Sequence, residues 1–192
     1  MNYLAHLWLT DRAGLPLAGA VLGDVLRGRL DGRLPAALEA SVRLHRRVDV
    51  VTDAHPLVAQ ARTRFPPGGR RYAGIVLDLL YDYCLARRWS EFSGEPLADF
   101  ARRAAQAVAA EEAGFRLADT MAPSMPRMRD LLLSYGTEEG FERAVRRTAA
   151  RLRQPQPLLD AARDWRRHLA PAGDTLPALL QDLAGTAQQA SV

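Results

Sequence analysis

The sequence has no lysine, so all 26 of its basic side chains are arginines. Together with the abundant alanine and leucine, this is typical of a GC-rich coding bias rather than of a particular chemistry. The single cysteine, Cys84, has no partner for an internal disulfide, and its apolar surroundings predict a small buried side chain. The cysteine content therefore excludes a fold stabilised by internal disulfides.

Long apolar runs and targeting signals are also missing. No apolar stretch reaches the roughly 18 to 20 residues that a membrane span requires. The opening segment, MNYLAHLWLTDRAG, has no cationic stretch ahead of its apolar positions. We therefore expect a cytoplasmic protein without a membrane partner. The formal net charge of +4 favours encounter with an acidic partner, whether nucleic acid, an anionic protein or a phosphorylated substrate.

Most of the chain has the composition and periodicity of amphipathic helix, with apolar positions recurring at intervals of three and four residues. We expect an all-α fold, a compact multi-helix domain over residues 1–192 with a disordered tail at about 185–192. The stretch 113–126 has the weakest helical pattern and is expected to be a mobile loop beside a cleft or a plain connector. The predicted helices cover about 2–11, 16–29, 35–53, 56–65, 70–89, 95–112, 124–135, 138–152, 156–169 and 175–188.

Imidazole and acidic side chains recur at helical spacing in the predicted third helix. His45, Asp49 and Asp53 follow one another at intervals of four residues. Their side chains therefore project from roughly one face of that helix. The result is a polar stripe with one imidazole and two carboxylates.

The predicted fifth helix contains a second pair of acids, Asp78 and Asp82, in an almost wholly apolar run. Burying two carboxylates is unfavourable unless something offsets their charge. A metal ion would do so, and so would arginines from a neighbouring helix. The candidates for that purely structural alternative are Arg43, Arg46 and Arg47.

Two further polar residues interrupt apolar helices. Asp24 directly follows Gly23, whose lack of a side chain lets a neighbouring element approach closely. His6 lies in the apolar first helix, and Asn2 stands four residues earlier on the same face. We expect Asp24 to face the interior, and His6 to be either a buried core histidine or part of a polar pair with Asn2.

The mixture of imidazoles and carboxylates is typical of Mn²⁺, Fe²⁺ or Mg²⁺ sites, whereas structural zinc sites favour thiolates, of which this chain has one. A divalent ion withdraws charge from a phosphoryl oxygen and lowers the pKa of water, while arginines neutralise the remaining phosphate charge. We therefore expect the metal to be catalytic. The candidate arginines, each otherwise explained as a solvated helix side chain, are Arg27, Arg43, Arg46 and Arg47.

Four blocks, NYLAHLWL, GDVLRG, RLHRRVDVVTDAHP and RRYAGIVLDLLYDYCLARRW, occur in this order within about residues 1–92. In order and spacing they resemble the acyl carrier protein phosphodiesterases. The resemblance implies an all-α fold distantly related to the HD-domain phosphohydrolases and a divalent metal, preferably manganese. It also implies hydrolysis of the phosphodiester that joins 4′-phosphopantetheine to a serine of holo acyl carrier protein. The family's motif residues carry over to Asn2, His6, Asp24, Arg27, His45, Arg46, Arg47, Asp49, Asp53, His55, Asp78 and Asp82.

The chain departs from the family pattern at two positions that are often histidine. They are occupied here by Trp8 and Tyr83. If either absent histidine were a metal ligand, metal affinity or activity would be reduced in this chain. The chain also lacks a His-Asp dipeptide, so the implied relation to HD-domain proteins rests on helical arrangement alone.

We expect these residues to form one metal-dependent site, with an acidic acyl carrier protein as the partner. Two other functions remain open: an HD-like phosphohydrolase acting on a nucleotide or other small phosphodiester, and a helical module that binds nucleic acid through its arginines. The buried acids argue against the second. The expected metal ligands are Asp24, His45, Asp49, Asp78 and Asp82, and the expected catalytic residues are Asp53, His55, Arg46 and Arg47. The residues expected to bind the substrate are Arg27, Arg43, Asn2 and His6. The residues expected to dock the carrier protein are Arg62, Arg64, Arg70 and Arg71.

Overall fold

The computed structural model describes residues 1–189, and among them it contains helices and no strand, which confirms the all-α prediction. The expected distant relation to HD-domain proteins stays a prediction. None of the described helices combines the length and apolarity needed to cross a membrane. The α-helices are α1 Tyr3–Arg12, α2 Ala18–Val25, α3 Ala36–Ala54, α4 Pro56–Thr63, α5 Arg70–Arg87, α6 Leu97–Ala110, α7 Glu112–Leu117, α8 Met125–Ser134, α9 Glu138–Ala149, α10 Gln156–Ala162 and α11 Leu169–Gln189.

Local capping sets the starts of α4 and α9. Nδ1 of His55 accepts a hydrogen bond from the Leu57 amide at 3.2 Å, and Pro56 is the first residue of α4. The hydroxyl of Thr137 accepts a hydrogen bond from the Gly140 amide at 3.0 Å at the start of α9. The helices predicted to begin at 56 and 138 are therefore confirmed at these ends.

The second helix is shorter than predicted, because it ends at Val25 rather than near residue 29. Leu26 has extended backbone, with φ of −75° and ψ of 115°. Gly28 follows with φ of +80°, a conformation that residues with a side chain rarely adopt. A loop therefore connects α2 to α3.

The structure differs from the sequence prediction at two places in the second half. The segment 113–126 was expected to lack helix, yet α7 forms at its start because the Glu111 carboxylate accepts from the Gly114 amide at 3.1 Å. The tail expected to be disordered from about residue 185 is helical as far as Gln189, because the apolar side chains of Leu183 and Ala187 continue the buried face of α11. Residues 190–192 of that tail lie outside the described residues.

The core surrounds α5, which packs against α1, α4, α9, α10 and α11. Its residues Val76, Leu77, Leu80, Tyr81 and Leu85 are each no more than 1% exposed. Burial on several sides explains why the sequence of this helix has apolar residues on nearly every face. A carboxylate on α5 must therefore find its partners inside the protein.

Asp82 is a carboxylate in the C-terminal half of α5, and it is fully buried. Its Oδ2 accepts a hydrogen bond from the Leu4 amide at 2.7 Å, and its Oδ1 accepts one from the Ala5 amide at 3.2 Å. Both amides belong to the first turn of α1, whose N–H groups have no partner within the helix. The carboxylate also lies at the positive end of the α1 dipole, so it joins α1 to α5.

Two glycines on α2 let this helix lie directly against α3. A Cβ atom on Gly19 would stand 2.2 Å from Oγ of Ser41, and one on Gly23 would stand 2.3 Å from Cγ of His45. Both pairs have a spacing of four residues, so the contact repeats once per turn of each helix. The close approach expected at Gly23 is present and places His45 against the backbone of α2.

Replacing Asp82 with alanine should lower the free energy of unfolding by about 2 to 4 kcal/mol, because two buried amides lose their acceptor. Chemical denaturation followed by circular dichroism measures the change. The control is Asp130→Ala on α8, an exposed position where we expect a change below about 0.5 kcal/mol. Equal effects of the two substitutions would contradict the anchoring role of Asp82.

The stability of the protein should also depend on pH through Asp82, because burial raises the pKa of this carboxyl group from 3.8 to about 7. Between these values the unfolded chain has released a proton that the folded chain keeps, so the free energy of unfolding falls as pH rises. Compared with Asp82→Asn, the wild type should lose at most about 1.4 kcal/mol per pH unit in this window. A stability difference that stays constant from about pH 4 to 7 would contradict the raised pKa.

Candidate metal centre

Three side chains from α1 and α3 converge in what we call the histidine–aspartate cluster: His6, His45 and Asp49. His6 Nε2 lies 3.0 Å from Asp49 Oδ1, and His45 Nε2 lies 3.2 Å from Asp49 Oδ2. The two imidazole rings stack with their centroids 3.9 Å apart. One possible ligand atom from each residue lies within 4.8 Å of the others, so the cluster could hold a metal ion.

The hydrogen bond of His45 to α2 decides which ring nitrogen faces the cluster. Its Nδ1 lies 2.7 Å from the carbonyl oxygen of Ala20. A carbonyl oxygen can only accept, so Nδ1 carries the hydrogen and the neutral ring has its lone pair on Nε2. Metal-bound histidines commonly donate their other ring N–H to a backbone carbonyl in this way.

His6 is a buried imidazole without a hydrogen-bond partner. It is 2% exposed, and neither ring nitrogen forms a hydrogen bond with any described residue, since Nε2 is close to Asp49 but outside hydrogen-bonding geometry. Burial and the adjacent His45 ring lower the pKa of His6 to about 4, so the ring is neutral at pH 7. Buried polar atoms in folded proteins nearly always have a partner, and a cation would supply the one missing here.

Asp49 provides the negative charge of the cluster. Burial acts to raise its pKa, but the interaction with His45 and His6 outweighs burial and holds this pKa below its usual range. The carboxylate is therefore ionised at neutral pH. One carboxylate and two imidazoles form a mixed nitrogen and oxygen donor set of the kind that holds Mn²⁺ or Fe²⁺.

Two of the other expected ligands, Asp24 and Asp78, line the same pocket as the cluster but are held by other partners. The hydroxyl of Tyr3 donates to Asp24 Oδ2 at 2.7 Å, and the amino group of Met1 donates to Asp78 Oδ1 at 2.8 Å. Asp24 also lines an adjoining pocket, which contains two members of the cluster. Both carboxylates are thus on the wall of the site. The expectation that Asp24 faces the interior is wrong, because this residue is exposed near the end of α2.

Three expected site residues lie elsewhere. Asp82, expected as a metal ligand, caps α1 and lines neither of the two pockets at the cluster. Asp53, expected in catalysis, accepts a hydrogen bond from Arg62 at 2.5 Å near the end of α3. His55, also expected in catalysis, caps α4 and lies 3.2 Å from Asp182. Each of these residues is engaged outside the cluster, and their expected roles as a ligand or in catalysis stay predictions.

The arginines that follow α2 and belong to α3 have different surroundings. Arg46 donates to the carbonyl oxygens of Leu26 at 2.7 Å and Gly28 at 2.9 Å, and so holds the loop after α2. Arg27 lies in that loop, is exposed and, like Arg46, lines the pocket that adjoins the cluster. The guanidinium group of Arg46 is therefore bonded to this loop, whereas that of Arg27 is not.

The remaining substrate-binding and catalytic candidates are separated in the structure. Arg43 is exposed and pairs with Glu39 at 3.1 Å, and Arg47 is exposed on α3; neither lines a pocket at the cluster. Asn2 lines the cluster's pocket, where its Oδ1 accepts from the Tyr3 amide at 2.9 Å at the start of α1. Asn2 is therefore at the site, whereas Arg43 and Arg47 are not.

Two arginines that the sequence did not single out line the cluster's pocket. Arg147 of α9 and Arg151, which follows it by four residues and lies just past the end of the helix, share this wall with Thr148. Burial and Asp24 raise the pKa of Tyr3, whereas Arg151 and Arg147 oppose this effect from the same pocket. Their spacing of four residues was the one available signal, and it also fits a solvated helix face.

The residues at the two family histidine positions belong to the core. Nε1 of Trp8 donates to the carbonyl oxygen of Phe92 at 3.2 Å. Tyr83 packs edge-on against Phe141 and Trp165. Neither Trp8 nor Tyr83 lines the cluster's pocket, so the absent imidazoles remove no ligand from the cluster.

Replacing Gly23 with alanine should lower the free energy of unfolding by about 1 to 3 kcal/mol, because the new Cβ would overlap the His45 ring. Denaturant titration of the purified variant measures the loss. The matched control is Gly185→Ala on α11, where a Cβ meets nothing within 4 Å and should be neutral or slightly stabilising. A neutral Gly23→Ala would show that the contact between α2 and α3 is not tight.

The family model described as acyl carrier protein phosphodiesterase matches residues 1–183. Curated proteins of that name include one from Klebsiella pneumoniae (strain 342), 34% identical over 170 residues, which are 85% of this chain and 83% of that protein. Another, from Photorhabdus laumondii, is 46% identical over 91 residues, 47% of this chain and 46% of that protein. A third, from Yersinia pestis, is 47% identical over 91 residues, 47% of each. The last two matches span about half the length of those relatives.

No solved structure matches this chain. The family match nevertheless extends well beyond the four motif blocks and includes Arg147 and Arg151. The cluster, its pocket and the pocket's arginines all lie within the matched residues. The chain therefore belongs to the acyl carrier protein phosphodiesterase family.

Proposed function

We propose that this protein is a metal-dependent phosphodiesterase that hydrolyses holo acyl carrier protein to apo acyl carrier protein and 4′-phosphopantetheine. The observation that carries the metal dependence is the cluster, in which a buried imidazole without a hydrogen-bond partner faces an ionised carboxylate. The name of the relatives supports the carrier protein as substrate. We propose Mn²⁺ as the ion, and Mg²⁺ or Fe²⁺ as the alternatives.

The ion would be held by His6, His45 and Asp49, with Asp24 and Asp78 as oxygen donors on the pocket wall. When bound there, a divalent ion would polarise a phosphoryl oxygen and lower the pKa of a water molecule. The chain's own contribution is to keep the His6 imidazole neutral and the Asp49 carboxylate ionised. The lowered pKa values of His6 and Asp49 support this assignment of charge.

Arg147 and Arg151 are the proposed phosphate-binding residues, since both line the pocket that contains the cluster. Arg27 would act from the adjoining pocket. A guanidinium group can donate two parallel hydrogen bonds to one phosphate and keeps its charge at any physiological pH. These residues replace Arg46 and Arg47 in the proposed role.

Attraction between a basic enzyme and an acidic carrier protein supports the same substrate. The surface expected to dock the carrier includes Arg62, which is paired with Asp53, and Arg70, which donates to the carbonyl oxygens of Phe65 and Thr63. These guanidinium groups already have partners within the chain. We therefore expect arginines nearer the cluster's pocket to contribute more to docking.

Replacing Asp49 with asparagine should reduce turnover of holo acyl carrier protein at least about 100-fold, because the cluster loses its charged ligand. The mass of the carrier, with and without Mn²⁺, reports the loss of 4′-phosphopantetheine. Asp53→Asn is the matched control, since Asp53 lies four residues along the same helix outside the pocket, and its turnover should stay within about threefold of the wild type.

Other outcomes of this experiment discriminate among functions. Metal-independent turnover, or equal loss in Asp49→Asn and Asp53→Asn, would contradict a metal centre at the cluster. A wild type that is inert towards the holo carrier but cleaves nucleotides or small phosphodiesters with Mn²⁺ would favour the HD-like phosphohydrolase. Circular dichroism of each variant excludes unfolding as the cause of lost turnover.

A further inference from the structure

A larger groove lies beside the pocket that contains the cluster. Its volume is about 970 Å³, compared with about 220 Å³ for the pocket itself. Tyr3, Arg147 and Arg151 line both spaces. The groove and the pocket therefore meet at these three residues, which we call the junction.

The floor of the groove is apolar. Val21 and Val25 of α2, Phe115 of α7, and Met128 and Leu131 of α8 line it. Phe115 and Met128 are each 2% exposed and belong to the core, so the floor is part of the packed fold. An apolar floor favours a ligand without charge, because burial of its apolar surface is favourable and a charged group would be desolvated there.

The chemistry at the edges of the groove is different. Arg127 and Arg143 line it, are exposed, and form no ion pair with any described residue. Asp130, an acidic residue that also lines the groove, is paired with Arg129 at 2.9 Å. Met121 lines the groove and is 88% exposed, an unusual position for a large apolar side chain outside a contact site. Free positive charge therefore surrounds an apolar floor.

We propose that this groove binds the pantetheine arm of the substrate, with the phosphate at the junction and the uncharged amide chain along the floor. The sequence of charged and apolar surfaces from the junction to the floor supports this occupant. The anionic phosphate fits Arg147 and Arg151, and the arm beyond it has no charge, which fits the apolar floor. The volume is at the upper end of the range of about 300 to 1,000 Å³ that small-molecule sites have. The identity of the arm rests on the proposed function.

The test compares two ligands that share a phosphate and differ in the arm. 4′-Phosphopantetheine and methyl phosphate are titrated into the Mn²⁺-loaded protein by calorimetry. We expect 4′-phosphopantetheine to bind at least about tenfold more tightly, because only its arm reaches the floor. Leu131→Trp and Val25→Trp, which fill the groove from α8 and α2, should bring the ratio of the two affinities towards one.

The control is Leu117→Trp, a change at an exposed apolar residue of α7 that does not line the groove, and it should keep the wild-type ratio. Equal affinity of the wild type for both ligands, or a ratio unchanged in either folded groove variant, would overturn the proposal. Turnover of holo acyl carrier protein is measured separately. If the wild type shows the tenfold preference but no turnover, the groove proposal is supported and the proposed function is rejected. If it shows turnover but no preference, the proposed function is supported and the groove proposal is rejected.

Discussion

The buried carboxylate of Asp82 is the interaction on which the arrangement of the site depends. It accepts hydrogen bonds from two backbone amides in the first turn of α1 and thereby holds that turn against α5. His6 follows those amides directly on α1, so the anchoring of the helix start also determines where this imidazole lies. The hydrogen bonds and the helix dipole offset only part of the unfavourable burial of a charge, since the pKa of Asp82 is still raised. The acid that is furthest from solvent thus acts on the site through the position of α1.

The second constraint is the close contact between α2 and α3. Gly19 and Gly23 remove the side chains that would separate the helices, and the Ala20 carbonyl then reaches Nδ1 of His45. That hydrogen bond leaves Nε2 as the free acceptor, so backbone packing selects the tautomer that a cation needs. The ring nitrogens of His6, neither of which forms a hydrogen bond with a described residue, are unfavourable in the folded chain alone. A bound ion would remove this penalty, which couples metal binding to stability.

How much of the site was predictable depends on the range of the interactions involved. His45 and Asp49 could be paired from the sequence because a spacing of four residues on one helix is a local rule. The same rule grouped Asp82 with the metal ligands, and spacing does not reveal that the start of another helix faces this residue. Arg147 and Arg151 could not be linked to the site, since only the packing of α9 brings them to a pocket formed by the first half of the chain. The all-α class followed from composition and periodicity, whereas helix ends depended on caps and on glycine conformation.

The most direct test of a metal centre at the histidine–aspartate cluster is an anomalous difference map from a crystal of the protein grown with Mn²⁺. We predict a peak at about 2.0 to 2.3 Å from His45 Nε2, from a ring nitrogen of His6 and from an oxygen of Asp49. The hydrogen bond from His45 Nδ1 to Ala20 should be retained in that crystal. A peak at another group of acids, or no peak at the cluster at saturating Mn²⁺, would contradict this account.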